Sequence, residues 1–125
     1  MFEKLELSRM AQALAAHAGS RMGVIARNVS NADTPGYKAR DLTDFATVWQ
    51  AGSGEMRATR PGHTGPVIAR TAEMIDGRGS ESPNGNTVSL EMEMVKSASA
   101  RQDHEMALAI YRASSGVIRS ALGRN

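Results

Sequence analysis

The chain has 125 residues, the length of one ordinary domain, yet only 4% are aromatic and none is cysteine; disulfide staples and cysteine-ligated metal are excluded, and alanine and methionine are left to do most of the packing. A formal charge of +2 with an isoelectric point near 9.4 fits a solvated mixed-charge surface rather than the footprint of a nucleic-acid binder. No run approaches transmembrane length, so no direct membrane insertion is expected, and "MFEKLELSRM" interleaves charge with apolar residues, unlike a cleavable secretory signal or a membrane anchor.

The apolar residues gather at the two ends of the chain. From Leu7 to Val29 one stripe runs Leu7, Ala11, Leu14 or Ala15, Ala18, Met22, Ile25, Val29, which from Ala15 keeps the alternating four and three spacing of a helix seam. Roughly 23 residues at about 1.5 Å each predict a rod of about 35 Å with one buried side. Gly19 costs about 1 kcal/mol relative to alanine inside a helix, but the stripe passes it in phase. Small residues at Ala11, Ala15 and Ala18 let a neighbouring helix axis come close.

The helix stops at "NVSNADTPGYKARDLTDF", residues 28 to 45. Asn28 and Asn31 are expected to end it through the left-handed conformation that asparagine tolerates. Pro35 and Gly36 fit the two central positions of a type II turn, with Thr34 held extended before the proline and positive φ at Gly36. Asp33 can close an Asx turn. Beyond it, Tyr37, Leu42 and Phe45 are anchors among Lys38, Arg40, Asp41 and Asp44 in a semi-extended, charged arm.

From about Thr43 to Asn86 the chain carries "AGSGEMRATRPGHTGP" and "DGRGSESPNGN". Little there can be buried to offset backbone entropy of about 1–2 kcal/mol per residue, so loops are expected, with short extended pieces near Gly65 to Ala72. Helical grammar resumes at "NTVSLEMEMV": Ser89 is a candidate N-cap, and Glu91 and Glu93 lie at the positive end of the helix dipole. Two stripes follow, Leu108, Tyr111, Ser115, Ile118, Leu122 and Met106, Ile110, Ala113, Val117, Ala121, together a broad apolar face. The stretch from Lys96 to Glu105 is more polar and is expected to be wetter or only partly covered.

The predicted fold is mainly α: two long terminal helices packed as an antiparallel hairpin or coiled coil, with an irregular Gly/Pro-rich middle segment. Residues 1–31 form the N-terminal helix of the core, 32–86 the turn motif and connecting region, and 87–125 the C-terminal helix. The C-terminal face is too wide for one neighbour, and a thin core is marginal alone, so the surplus apolar surface calls for helices from other molecules.

No catalytic, cofactor-binding or metal-ligating set emerges. His17, His63 and His104 are far apart in sequence and read as surface histidines, and Glu91 and Glu93 read as helix-dipole partners rather than a carboxylate pair. The "DGRGSESPNG" glycines lack the strand and helix that a phosphate cradle needs. The alternative of a small helix-turn-helix-like DNA-binding protein rests on "LAAHAGSRMGVIARNVSNADTPGYKA". Against it, the stripe crosses Gly19 without the phase change of a turn.

The residues also carry a resemblance. "NVSNADTPGYKARDLTDF" resembles the signature of the flagellar basal-body rod proteins, and "GNTVSLEMEM" is similar to the start of their C-terminal helix. The match covers about the first and last thirds of the chain and departs in the middle and at Ser99, Arg101 and His104. The resemblance implies a structural subunit of the proximal rod, whose terminal helices pack into a tube and whose signature residues Asn28, Asn31, Asp33, Thr34, Pro35, Gly36, Tyr37, Lys38 and Phe45 contribute to subunit contacts. It further implies a periplasmic place in the basal body and export without a cleaved signal by the flagellar type III apparatus. The implied neighbours are copies of the chain, other rod proteins (FlgC and relatives), and FliE and the MS-ring protein at the rod base. No cofactor and no nucleic acid enter this expectation.

Overall fold

The computed structural model describes residues 2–51, 74–76 and 79–123. In chain order it contains helix α1 (Phe2–Ser30), strand β1 (Arg40–Leu42), helix α2 (Phe45–Ala51), strand β2 (Met74–Asp76) and helix α3 (Leu90–Leu122). The expected extended pieces near Gly65 to Ala72 lie outside the described residues.

Helix α1 is continuous for 29 residues. Gly19 sits in its interior with open space where a Cβ would be, and the helix runs through it without interruption. That continuity overturns the helix-turn-helix alternative, which needs two helices meeting at this point. The helix does not end through left-handed asparagines either, since no described non-glycine residue has positive φ. Asn28 lies inside the helix, and the last turn closes through the Asn31 amide on the carbonyls of Arg27 and Asn28 and the Ala32 amide on Val29. The Asn31 side chain also donates to the Arg27 carbonyl, at 2.8 Å. The final carbonyls are thus satisfied without the αL residue that short-range reasoning favours.

Helix α3 begins as its sequence predicts. Ser89 is extended, and its hydroxyl accepts from the Met92 amide while its carbonyl accepts from Glu93. The two long helices pack along each other. Near the start of α1, the Ser8 hydroxyl meets that of Ser114, late in α3, at 2.9 Å. Near the end of α1, Asn28 reaches Glu93, early in α3.

The buried line on α1 is Ala11, Ala18, Val24, Ile25 and Asn28, flanked by half-buried Leu14, Ala15 and Met22. Leu7 and Val29, at its two ends, are exposed. On α3 the buried line is Glu93, Ala100, Ala107 and Ser114, one residue every heptad. The two apolar stripes flank this seam instead of forming it: Leu108, Ile110 and Ile118 are half-buried, while Met106, Tyr111, Val117 and Leu122 are exposed. Ala100 and Ala107 have no accessible surface at all. The stretch from Lys96 to Glu105 is only partly covered, as expected: Ala100 is buried, Lys96, Asp103 and His104 are half-buried, and the others are exposed. Small side chains, not large ones, win the seam because they let the two backbones approach.

The connecting region has more regular structure than its composition promises. β1 pairs antiparallel with β2, Arg40 opposite Asp76 and Leu42 opposite Met74, and α2 packs on α1. Phe45, the first residue of α2, meets His17 of α1 edge-on with ring centroids 5.6 Å apart and lies 5.9 Å from Trp49. His17 is accordingly no free surface histidine, for its Nε2 donates to the Thr43 carbonyl at 2.8 Å.

The seam generates a test. Ala107→Leu is expected to destabilise the chain by about 1–3 kcal/mol through overpacking, whereas Ala98→Leu on the exposed side of the same helix stays near neutral. Urea unfolding of the two variants, monitored by circular dichroism, separates the outcomes.

Candidate functional site: the corner between the long helices

The signature segment does not trail away from α1; it folds back onto α1 and onto the approach to α3. Its centre is Asn28, whose side chain is fully buried. An asparagine amide offers two N–H donors and one oxygen with two lone pairs, and here all are used. Nδ2 donates to the Arg40 carbonyl at 2.6 Å and to Glu93 Oε2 at 3.1 Å. Oδ1 accepts from the Tyr37 hydroxyl and from the Arg40 amide, both at 3.1 Å. One side chain thereby ties α1 to the tyrosine of the turn, to both backbone groups of the first residue of β1, and to α3.

Asn86 does the same work from the other side. Its Nδ2 lies 2.9 Å from the carbonyls of Asn31 and Ala32 and 2.8 Å from that of Thr34, and its Oδ1 accepts from the Val88 amide at 2.7 Å. A residue of the connecting region thus covers the carbonyls just past the C-terminus of α1. Thr87 adds two bonds: its Oγ1 accepts from the Ala39 amide and its own amide donates to the Tyr37 carbonyl. Neither Asn86 nor Thr87 was singled out by the sequence, because both sit more than fifty residues from α1 and belong to a turn-rich stretch. Their signals are adjacency to the Ser89 cap and a place in "GNTVSLEMEM".

The predicted turn is present. Tyr37 donates its amide to the Thr34 carbonyl, and Gly36 has φ of 75°, the left-handed value the second central position of a type II turn requires. Gly85, at φ 84°, forms a second turn beside it. The two are joined by the Gly36 amide on the Asn84 carbonyl, and a Cβ on Gly85 would come within 3.4 Å of the Gly36 Cα. Asp33 makes no Asx turn and is exposed; the short-range bond belongs to Thr34 Oγ1, which donates to Asn31 Oδ1. Thr34, Pro35, Gly36 and Lys38 are also exposed, with Lys38 reaching the Gly85 carbonyl and Glu81. Of the nine signature residues, Asn28, Asn31, Tyr37 and Phe45 thus face inward and the others lie on the corner's outer surface.

Charge completes the corner. Arg21 of α1 grips Asp41 of β1 with two hydrogen bonds, 3.0 and 3.2 Å. Lys96 of α3 lies 3.9 Å from the same carboxylate and 3.2 Å from Glu93. Glu93 lies in the first turn of α3, as a dipole partner should, and is in addition a buried carboxylate held by Asn28 and Lys96. Burial alone pushes the Asp41 carboxyl up; the Arg21 hydrogen bond, the Leu42 amide and the charges of Arg21 and Lys96 outweigh it and hold Asp41 below its ordinary value. The Asp41 hydrogen bond correspondingly raises Arg21. No buried side-chain nitrogen or oxygen among the described residues lacks a partner.

This arrangement can hold a geometry and present a surface. Among the described residues no cluster of three or more metal-ligating side chains occurs, and no helix is long and apolar enough to cross a membrane.

The Asp41 pair makes a prediction about pH. A carboxyl held low in the folded chain adds stability that is fully present above its unfolded value, near pH 4, and is lost as pH falls through the lower folded value. Asp41→Asn is expected to lose stability at neutral pH and to flatten this acid limb. Unfolding midpoints of the two proteins from pH 7 down to pH 2 should converge; parallel curves would remove Asp41 from the account.

A family model described as flagella basal body rod protein matches residues 7–38, the second half of which builds this corner. The chain is 29% identical over 111 residues to the flagellar basal body rod protein FlgB of Agrobacterium fabrum, covering 83% of each chain. It is 33% identical over 108 residues to the FlgB of Cereibacter sphaeroides, covering 83% of this chain and 84% of the relative. Conserved length, the matched corner and this level of identity agree: the chain belongs to the flagellar basal body rod protein family, among its FlgB members.

Proposed function

We propose that the chain is a structural subunit of the proximal rod of the bacterial flagellum and polymerises through its terminal helices, paired as an antiparallel hairpin, to build the drive shaft. Family membership supports the rod assignment, and the observation that carries the mode of assembly is the mismatch between core and surface. The hydrophobic core of the described residues is chiefly alanine, while Met94, Val95 and Leu122 are 72%, 64% and 68% exposed, and Leu90, Met92 and Met106 are half open or more. At the start of α3 these side chains surround the helix on several sides, a pattern that suits a rod enclosed by neighbours.

In this reading residues 1–31 and 87–125 are the assembling helices, and residues 32–86 are the corner and its connecting region. The outer corner residues Asp33, Thr34, Pro35, Gly36 and Lys38 contribute to subunit contacts, and Asn28, Asn31, Tyr37 and Phe45 support them from within. The partners are copies of the chain, FlgC and related rod proteins, and FliE and the MS-ring protein at the base. The periplasmic rod is the site of action, reached through the flagellar type III export apparatus without a cleaved signal. The role is mechanical, not enzymatic.

The test uses the outer face. Met94→Asp combined with Val95→Asp changes two side chains that the chain itself leaves in solvent. Cells carrying only this variant are expected to be non-motile and to lack rods beyond the base, while the purified variant keeps the far-ultraviolet circular dichroism of the unaltered chain. Full motility would contradict the proposed helix-mediated assembly.

A further inference from the structure

The α1/α3 seam repeats itself too regularly to choose its own alignment. Ala11, Ala18 and Ile25 follow one heptad on α1, and Ala100, Ala107 and Ser114 follow one on α3, with Ala121 continuing it. Sliding α3 by one heptad again sets small residues into the seam and moves the helices by about 10 Å, seven residues at about 1.5 Å each. We infer that the polar corner, not the apolar seam, sets the register of the two long helices, with Asn28, Asn86 and Glu93 as the positioning residues.

Of the three, Glu93 breaks the repeat itself, while Asn28 and Asn86 fix its ends. Glu93 occupies the same heptad position as the alanines but is a buried carboxylate, 1% exposed, whose held atoms are Oε2 on Asn28 and Oε1 on Lys96. A one-heptad slip would bring Ala100 to Asn28 and part the Asn28 amide from the Glu93 carboxylate, which would keep only Lys96, three residues on along the same helix. A buried amide left without its acceptor is costlier than a rearranged alanine contact, and single polar residues in such seams are known to select one alignment from several. Asn86 acts at the adjoining end: its amide grips carbonyls just beyond the end of α1 while its oxygen holds Val88, two residues before α3 begins. The distance from the end of α1 to the start of α3 is thereby fixed by hydrogen bonds rather than by the long connection. A slipped chain would keep its helices and its seam but displace the corner relative to both helix ends.

The absence of cysteine from the chain allows the alignment to be read directly by disulfide trapping in the full-length protein. Ser8→Cys with Ser114→Cys reports the native alignment, in which the two side chains meet; Ser8→Cys with Ala121→Cys reports the alignment slipped by one heptad. With the corner intact, the first pair is expected to close faster than the second by at least roughly tenfold, as the penalty of a buried amide left unpaired implies. In the background Asn28→Leu, Asn86→Ala, Glu93→Leu, both pairs should close and the ratio should fall toward one. Glu93→Gln alone keeps an acceptor for Asn28 and should retain the native ratio. A triple variant that keeps the native preference would show that the seam sets the register. One in which neither pair closes would show that the seam cannot associate without the corner. Loss of preference in Glu93→Gln would remove the Asn28 bond as the determinant. Each of these three results overturns the inference.

Discussion

One buried carboxamide holds this subunit in shape. Asn28 spends its full hydrogen-bonding capacity on four partners from three parts of the chain: Tyr37 in the turn, both backbone groups of Arg40, and Glu93 on α3. No other common side chain of that size offers two donors and two acceptors in one plane. Aspartate would set a second charge against Glu93, and leucine would leave Glu93 with Lys96 alone and remove the side-chain partner of the Tyr37 hydroxyl and of the Arg40 amide and carbonyl. Each buried polar group left unpaired costs about 1–3 kcal/mol, so several at once rival the whole stability of a thin domain.

From that constraint follows a division of labour. The corner is specified from within by polar bonds, since the region beside it has too few large apolar residues to be packed into place. The seam is built from alanine and serine, which bring the helix backbones together but bury little area. Most of the large aliphatic and methionine side chains of α3 are left outside, while Val24 and Ile25 of α1 are buried. A free-standing domain would be poorly served by this distribution, whereas a subunit enclosed by neighbours needs its own shape fixed by specific bonds and its greasy surface turned outward.

The sequence made part of this legible. Both long helices, the Ser89 cap and the Pro35–Gly36 turn are short-range features, and short-range chemistry found them. The role of Asn28 was not legible, because an asparagine near a helix end has a commoner use as a terminator, and its true partners lie nine, twelve and sixty-five residues away. The burial of Glu93 was hidden for the same reason: it does lie in the first turn of α3, as a dipole partner should, but nothing in the neighbouring sequence pointed to Asn28. The α3 seam escaped because apolar periodicity weights large side chains, while close helix packing selects the small ones at Ala100, Ala107 and Ser114. Asn86 stayed hidden in a turn-rich stretch whose composition argued for loop and nothing more.

The most direct measurement is solvent exchange of the Asn28 side-chain amide protons, followed by nuclear magnetic resonance in the full-length chain. With Nδ2 bonded to both Arg40 and Glu93, these protons are expected to exchange far more slowly than those of an exposed asparagine such as Asn84, and to lose that protection in Glu93→Ala. Exchange at the rate of a free carboxamide would mean that the corner is not held by Asn28, and the account built on it would fail.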